Sequence, residues 1–237
     1  MRGTLTRRLA GVDAAALGTA IDAAGFAVVP GLLGARECAA LARLFDDDAR
    51  FRQTIDMARL RFGEGRYRYF ATPLPPLVAT LRAGLYPPLA AVANRWAAAL
   101  GERTRFPPTL RAFLRTCAAH GQRRPTPLLL RYEAGGFNNL HRDLYGDVVF
   151  PLQVTLMLGR PDADFRGGEF LLVEQRPRMQ SRGHAIVLDR GDAVVFPCRE
   201  RPAAGTRGTY RVAVRHGVAT VQAGTRTTLG LIFHDAT

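Results

Sequence analysis

Asn138-Asn139-Leu140-His141-Arg142-Asp143 is the stretch on which the reading of this chain turns, because an imidazole and a carboxylate two residues apart on a strand project from one face. An H-x-D pair so placed has the donor types and the spacing to clasp one metal ion. A second imidazole, His216, lies 73 residues beyond Asp143 in Tyr210-Arg211-Val212-Ala213-Val214-Arg215-His216, whose alternation marks another strand. Two histidines and one carboxylate make the facial set that holds Fe(II) and leaves coordination positions open. His184, ahead of Ala185-Ile186-Val187-Leu188, is the alternative distal ligand. No basic residue lies ten residues after it, however, whereas Arg226 lies ten residues after His216. His120 and His234 have no partner at a useful spacing and are left out of the candidate site.

The residues around the pair extend the pattern. Tyr132 ends Leu128-Leu129-Leu130-Arg131-Tyr132, an apolar run short enough for a buried strand, nine residues before His141. Arg226 opens Arg226-Thr227-Thr228-Leu229-Gly230-Leu231-Ile232-Phe233, a further strand candidate. Phe165-Arg166-Gly167-Gly168-Glu169-Phe170 and Arg190-Gly191-Asp192-Ala193-Val194-Val195-Phe196 lie between them. In this order these landmarks resemble the Fe(II)/2-oxoglutarate dioxygenases, which have G-G-E and G-D-x-x-x-F strands and a double-stranded β-helix core. The resemblance implies Fe(II) and 2-oxoglutarate as cofactors and oxygen as co-reactant. It makes His141, Asp143 and His216 the metal ligands, and Arg226, Tyr132 and Thr228 the contacts of the 2-oxoglutarate carboxylate. Arg226 suits that task through its planar, bidentate fork. It also implies hydroxylation of a C–H bond coupled to decarboxylation of 2-oxoglutarate to succinate; on an N-methyl group the product loses formaldehyde, a net demethylation.

The chain has 237 residues, of which 47% are hydrophobic, enough for one substantial core. We therefore expect a single domain of α+β class with a mainly β core. Residues 1–126 would form an N-terminal helical elaboration packed on residues 127–237, a double-stranded β-helix of jelly-roll or cupin-like form. Net charge is +13, so an anionic partner such as nucleic acid is drawn to the chain by its field. All 33 basic residues are arginine, which reads as codon bias of a GC-rich genome rather than selection for phosphate recognition. Cys38, Cys117 and Cys198 are odd in number and lack C-x-x-C spacing, which argues for thiols in a reducing cytoplasm and against a disulfide framework or structural zinc. The N-terminal apolar stretch is broken by Asp13 and Asp22, so no signal segment, membrane span or membrane partner is expected.

Along the chain, a helix is expected from Asp13, its cap, to Ala24, a strand within Gly25–Gly31, and a helix from Ala35 to Phe45. A second helical region spans Leu77–Leu100 with a stop or kink at Pro87-Pro88, and another helix spans Pro107–Ala119. From Leu128 onward, short strands separated by Gly, Pro and Asp fit a barrel or jelly roll. Between these lies a run from Arg50 to Phe70 that interleaves arginines with aromatics. It reads either as a lid whose Arg59, Arg61, Arg66, Tyr67 and Tyr69 meet a nucleic-acid substrate, or as an amphipathic segment with aromatics packed and arginines in water. Gln175–Arg182 is a similar basic connection near the expected mouth.

Residues 25–235 resemble a family of bacterial oxygenases with a proposed role in oxidative demethylation of alkylated DNA, by analogy with AlkB-like repair enzymes. In two respects the sequence departs from the AlkB-like pattern: a basic residue ten past the distal histidine is like the prolyl hydroxylases, and Leu130 stands where AlkB-like enzymes have an asparagine. Three functions therefore stay open: a nucleic-acid demethylase, a protein or peptide hydroxylase of prolyl type, and a catalytically inactive barrel used for binding.

Overall fold

The computed structural model describes residues 4–143, 146–206 and 208–237. The sequence reading of the N-terminus includes residues 1–3, which lie outside that range. Five α-helices occur among the described residues: α1 Leu5–Ala10, α2 Ala14–Ala24, α3 Ala35–Arg43, α4 Pro76–Ala99 and α5 Leu110–Ala119. The strands are β1 Ala27–Val29, β2 Phe51–Asp56, β3 Gly63–Glu64, β4 Arg66–Phe70, β5 Leu128–Tyr132, β6 Phe137–His141, β7 Leu152–Met157 and β8 Phe165–Gly167. They continue as β9 Phe170–Gln175, β10 Arg182–Ile186, β11 Ala193–Pro197, β12 Glu200–Gly205, β13 Gly208–Val218, β14 Val221–Gly224 and β15 Arg226–Ile232.

Local chemistry accounts for the ends of several elements. Asp13 caps α2 by accepting the N–H groups of Ala15 and Ala16, and Gly25, left-handed at φ 84°, ends the helix with its N–H on the Ile21 carbonyl. Asp192 then accepts the N–H of Gly31 at 2.7 Å, which holds the turn after β1 against the start of β11. A buried ion pair between Arg201 of β12 and Glu174 of β9 ties two strands of one sheet, and Arg201 also reaches the Asp22 carbonyl in α2.

Two antiparallel sheets face each other. The larger runs β1-β11-β7-β15-β5-β4-β2, and the smaller runs β10-β9-β13-β6-β3 with β12 also paired to β13. Helices cover the outer face of the larger sheet, where Leu85, Leu89 and Trp96 of α4 share a core with Leu129, Val154, Leu229 and Leu231. Its inner face packs Tyr132, Met157 and Val194 against Phe170, Leu172 and Val214 of the smaller sheet. β15 is covered on both sides, so all seven of its residues are buried. Alternation sends Thr227, Leu229 and Leu231 toward the helices and Arg226, Thr228, Gly230 and Ile232 inward.

Two expectations are corrected. Helix α4 runs through Pro87 and Pro88 without ending. Each interior proline costs about 3 kcal/mol, but Val78, Leu81, Leu85, Tyr86, Leu89, Ala93 and Trp96 are all buried along the helix, and that packing outweighs the lost backbone bonds. Residues 1–126 are also not helical throughout. The Arg50–Phe70 run forms β2, β3 and β4; β4 pairs with β5 and β3 with β6, so it joins both sheets. No helix among the described residues is long and apolar enough to cross a membrane.

Candidate active site

His141 and His216 are direct partners in the β6–β13 ladder, so both imidazoles leave the same face with ring centroids 4.3 Å apart. β6 ends at His141, and Asp143 lies beyond the strand that the H-x-D spacing implied for both residues. Its N–H turns instead to the Cys198 carbonyl at 3.4 Å. The carboxylate still converges on the imidazoles: Oδ1 is 3.6 Å from His141 Nε2 and Oδ2 is 3.3 Å from His216 Nε2. Ligand atoms of the three residues lie within 4.8 Å of one another, and among the described residues this is the group arranged to hold a metal ion.

Neighbours set the protonation states that a metal needs. Nδ1 of His141 lies 2.7 Å from the Asn139 carbonyl; it therefore carries the hydrogen and leaves the Nε2 lone pair facing the cluster. Burial, followed by the neighbouring His216, lowers the His141 imidazole and keeps it neutral. Burial raises the Asp143 carboxyl, but His216, His141 and the Gln153 amide outweigh it and hold the group well below the usual carboxylate range. Gln153 donates to Asp143 Oδ2 at 2.8 Å. Phe196 and Phe170 flank His216, with ring centroids at 4.8 and 6.1 Å, as an apolar wall.

A second polar set opens onto the same space. Arg226 and Tyr132 are cross-strand partners in β15 and β5, both fully buried. No nitrogen of the Arg226 guanidinium has a hydrogen-bond partner among the described residues. Burial pushes that guanidinium down to about 10 and the Tyr132 phenol up to about 12, so the phenol stays protonated. The Tyr132 hydroxyl accepts from Asn138 Nδ2 at 3.4 Å. Gly168, at φ +66°, makes room for the arginine, since a Cβ there would lie 2.8 Å from Arg226 Cδ. The Tyr132 ring lies 5.7 Å from the guanidinium and the charge of Glu169 also favours its charged form, but its N–H groups have no acceptor among the described residues, a costly state for a buried cation.

A cavity of about 540 Å³ contains both sets, with His141, Asp143 and His216 on one wall and Tyr132, Arg226 and Thr228 on another. Of the five proposed substrate residues, Arg61, Tyr67 and Tyr69 line it and Arg59 and Arg66 do not. Arg59 extends into solvent near Asp56, its side chain 87% exposed. Arg66 leaves β4 on the face opposite Tyr67 and lines a separate hollow with Glu64 and Arg131. His184 shares a row with Leu172 and His216 but sits two strands from His216, about 10 Å at ordinary strand spacing, with its ring against Phe26. Sequence reasoning missed Gln153, Asn138, Phe62, Leu140 and Arg142, which also line the cavity. Gln153 had a usable signal, since Gln153 and Thr155 are polar at alternate positions of an apolar strand.

Comparison with known proteins agrees with this geometry. The fold is that of a Pseudomonas putida prolyl-4-hydroxylase (TM-score 0.53, 18% identity, 94% of this chain and 99% of that one). It is also that of a Burkholderia pseudomallei oxidoreductase of the 2OG-Fe(II) oxygenase family (TM-score 0.56, 18% identity, 96% and 93%). A Trichoplax adhaerens prolyl hydroxylase, solved with a hypoxia inducible factor peptide, is similar in fold as well (TM-score 0.55, 14% identity, 99% and 94%). The fold is thus one that 2OG-Fe(II) oxygenases also adopt, and here it carries a His–Asp–His cluster able to hold a metal ion. Two uncharacterized proteins of Mycobacterium tuberculosis strains are each 48% identical to this chain over 167 residues, 70% of it and 72% of theirs. The sequence model of the family described as "Oxygenase, catalysing oxidative methylation of damaged DNA" matches residues 65–236, and the chain belongs to that family.

Proposed function

We propose that this oxygenase holds Fe(II) at His141, Asp143 and His216, binds 2-oxoglutarate against Arg226, Tyr132 and Thr228, and demethylates alkylated bases in nucleic acid. The single observation that carries the cofactor assignment is the fully buried Arg226 guanidinium, without a hydrogen-bond partner among the described residues, lining the cavity that contains the His–Asp–His cluster. Once bound, Fe(II) and 2-oxoglutarate supply oxygen activation coupled to decarboxylation to succinate, with one oxygen atom delivered to a substrate C–H bond.

The chain's own residues prepare the site. His141 offers a neutral nitrogen and Asp143 an ionised oxygen, the forms a divalent ion requires, and His216 Nε2 lies beside that carboxylate. Gln153 fixes the carboxylate and the Asn139 carbonyl fixes the His141 ring. Arg226 offers two parallel N–H groups to a carboxylate, and the protonated phenol of Tyr132 adds a third donor. Phe170 and Phe196 keep water from the His216 side. Residues 1–126 and 127–237 act as one catalytic domain, since β3 and β4 complete the sheets that carry the site.

The family description and the net charge of +13 support the nucleic-acid reading. A cytoplasmic setting is in keeping with three buried cysteines that form no disulfide among the described residues. Peptide hydroxylation is the second reading, favoured by the ten-residue spacing from His216 to Arg226 and by the prolyl hydroxylases that share the fold. The test is succinate and formaldehyde release by the purified protein with Fe(II), 2-oxoglutarate and oxygen, with and without a single-stranded oligonucleotide bearing N-methylated bases. Oligonucleotide-stimulated succinate matched by formaldehyde is the expected result. Slow, oligonucleotide-independent succinate without formaldehyde would reject the nucleic-acid substrate and move the search to peptides.

A further inference from the structure

The turn between β2 and β3 presents a side chain that the cofactor chemistry does not use. Phe62 is an aromatic left 47% exposed at the mouth of the site cavity, beside Leu60 at 48% and Leu140 at 41%. Exposure of this kind at the tip of a mobile loop would mean little, but here the backbone is fastened. Phe62 donates its N–H to the Met57 carbonyl at 3.0 Å, and its own carbonyl accepts the Asn139 N–H at 2.8 Å. The Asn139 side-chain amide donates to the Arg61 carbonyl at 3.2 Å. Arg61 is a non-glycine residue held at φ 58°, a left-handed conformation that persists only where neighbouring bonds enforce it.

Asn139 also supplies the carbonyl that orients His141. The same residue thus holds the lip of the cavity and a metal ligand, so that anything seated on the lip is in register with the metal site.

Charge selects the occupant. Arg61 and Arg142 line the mouth, and neither forms an ion pair among the described residues. The sole carboxylate among the described cavity-lining residues is Asp143, which the metal cluster uses. A neutral extended peptide would leave both guanidinium groups uncompensated, whereas a nucleic-acid strand brings one phosphate with every base. We infer that Phe62 is a stacking platform for a base next to the target nucleotide of a single strand, with Arg61 and Arg142 receiving its phosphates. This inference rests on the nucleic-acid reading above and adds the residues that recognise the strand.

The experiment is fluorescence anisotropy of a 5′-fluorescein-labelled dT15 strand titrated with the full-length protein across a series of salt concentrations. Phe62→Ala weakens binding roughly tenfold or more, as loss of one base–aromatic stack does elsewhere, and Phe62→Tyr restores it. Arg61→Ala with Arg142→Ala lowers the magnitude of the log–log salt slope by about 1.4, from ~0.7 per phosphate contact on a single strand. Arg111→Ala, on the exposed face of α5, serves as the control for general charge loss. Thermal melting of each variant shows that the fold is retained. If wild-type protein binds dT15 and the Phe62 and Arg61/Arg142 variants bind equally well, this inference is overturned while the nucleic-acid reading stands. If the wild-type protein fails to bind the strand at low salt, both fall together.

Discussion

Replacing Arg226 with methionine separates binding of an anion from stability of the fold, because the two respond in opposite directions. The guanidinium is fully buried and held at about 10 rather than 12.5, chiefly by burial, which costs the empty protein about 3 kcal/mol at neutral pH. Methionine has similar length and no charge, so the unliganded variant is expected to melt at or above the wild-type temperature. A carboxylate seated on Arg226 would recover that cost through bidentate, charge-assisted bonds. Removing one partner of such a buried pair costs on the order of 3 kcal/mol or more, and 3 kcal/mol corresponds to roughly 150-fold in affinity. Calorimetric titration of 2-oxoglutarate into protein loaded with Mn(II), an inert substitute for iron, should therefore show a dissociation constant about two orders of magnitude weaker in Arg226→Met. Arg226→Lys keeps the charge and loses the fork, so a roughly tenfold loss is expected. A variant that melts much lower than wild type while binding 2-oxoglutarate normally would refute the reasoning, since Arg226 would then be structural.

Three further predictions use other parts of the site. His216→Ala abolishes 2-oxoglutarate turnover and the visible absorption of bound Co(II), whereas His184→Ala spares most of both; the opposite pattern would move the distal ligand to His184. Gly168→Ala puts a Cβ 2.8 Å from Arg226 Cδ at φ +66°, so KM for 2-oxoglutarate rises roughly tenfold; Gly121→Ala, at φ +79° with no atom within 4 Å, costs about 1 kcal/mol of strain and leaves KM unchanged. His234 is held down at about 4, by burial first and then by Arg82, against an ordinary 6.5, and its Nδ1 accepts the Phe150 N–H. Between pH 6.5 and 4 the unfolded chain therefore binds this proton and the folded one does not, so stability falls with falling pH across that window, by about 3 kcal/mol in all. Urea midpoints measured across the window should decline less steeply in His234→Gln; parallel declines would exclude the histidine as the cause.

Much of the site was legible because its signals are local or lie in strands of fixed period. H-x-D, His216, Arg226 ten residues on and Tyr132 ahead of them all line one cavity. Asp13 and Gly25 bound α2 as their capping chemistry requires. The Arg50–Phe70 run was less legible, because interleaved arginines and aromatics suit a strand edge or a packed surface equally, and the choice depends on whether β5 and β6 accept it as a partner. Arg68 illustrates the outcome: its guanidinium lies 4.3 Å over the Phe51 ring and pairs with Asp48, contacts that composition alone does not imply.

The amino-acid sequence by itself determined the candidate metal-donor set, the order of the landmark strands and the faces that alternate along them, since each depends on residue type and a fixed period. Tertiary structure decided what those faces meet. Pairing of β6 with β13 brings His141 opposite His216, and a backbone bond to Cys198 directs Asp143 onto them although the strand has ended. The alternation of β4 sends Tyr67 and Tyr69 into the cavity and Arg66 out of it. Packing of α4 on the larger sheet carries that helix past two prolines, and Asn139 fastens Phe62 at the mouth. In each case the deciding bond or contact joins segments far apart in the chain, and its free energy exists only after the sheets have closed.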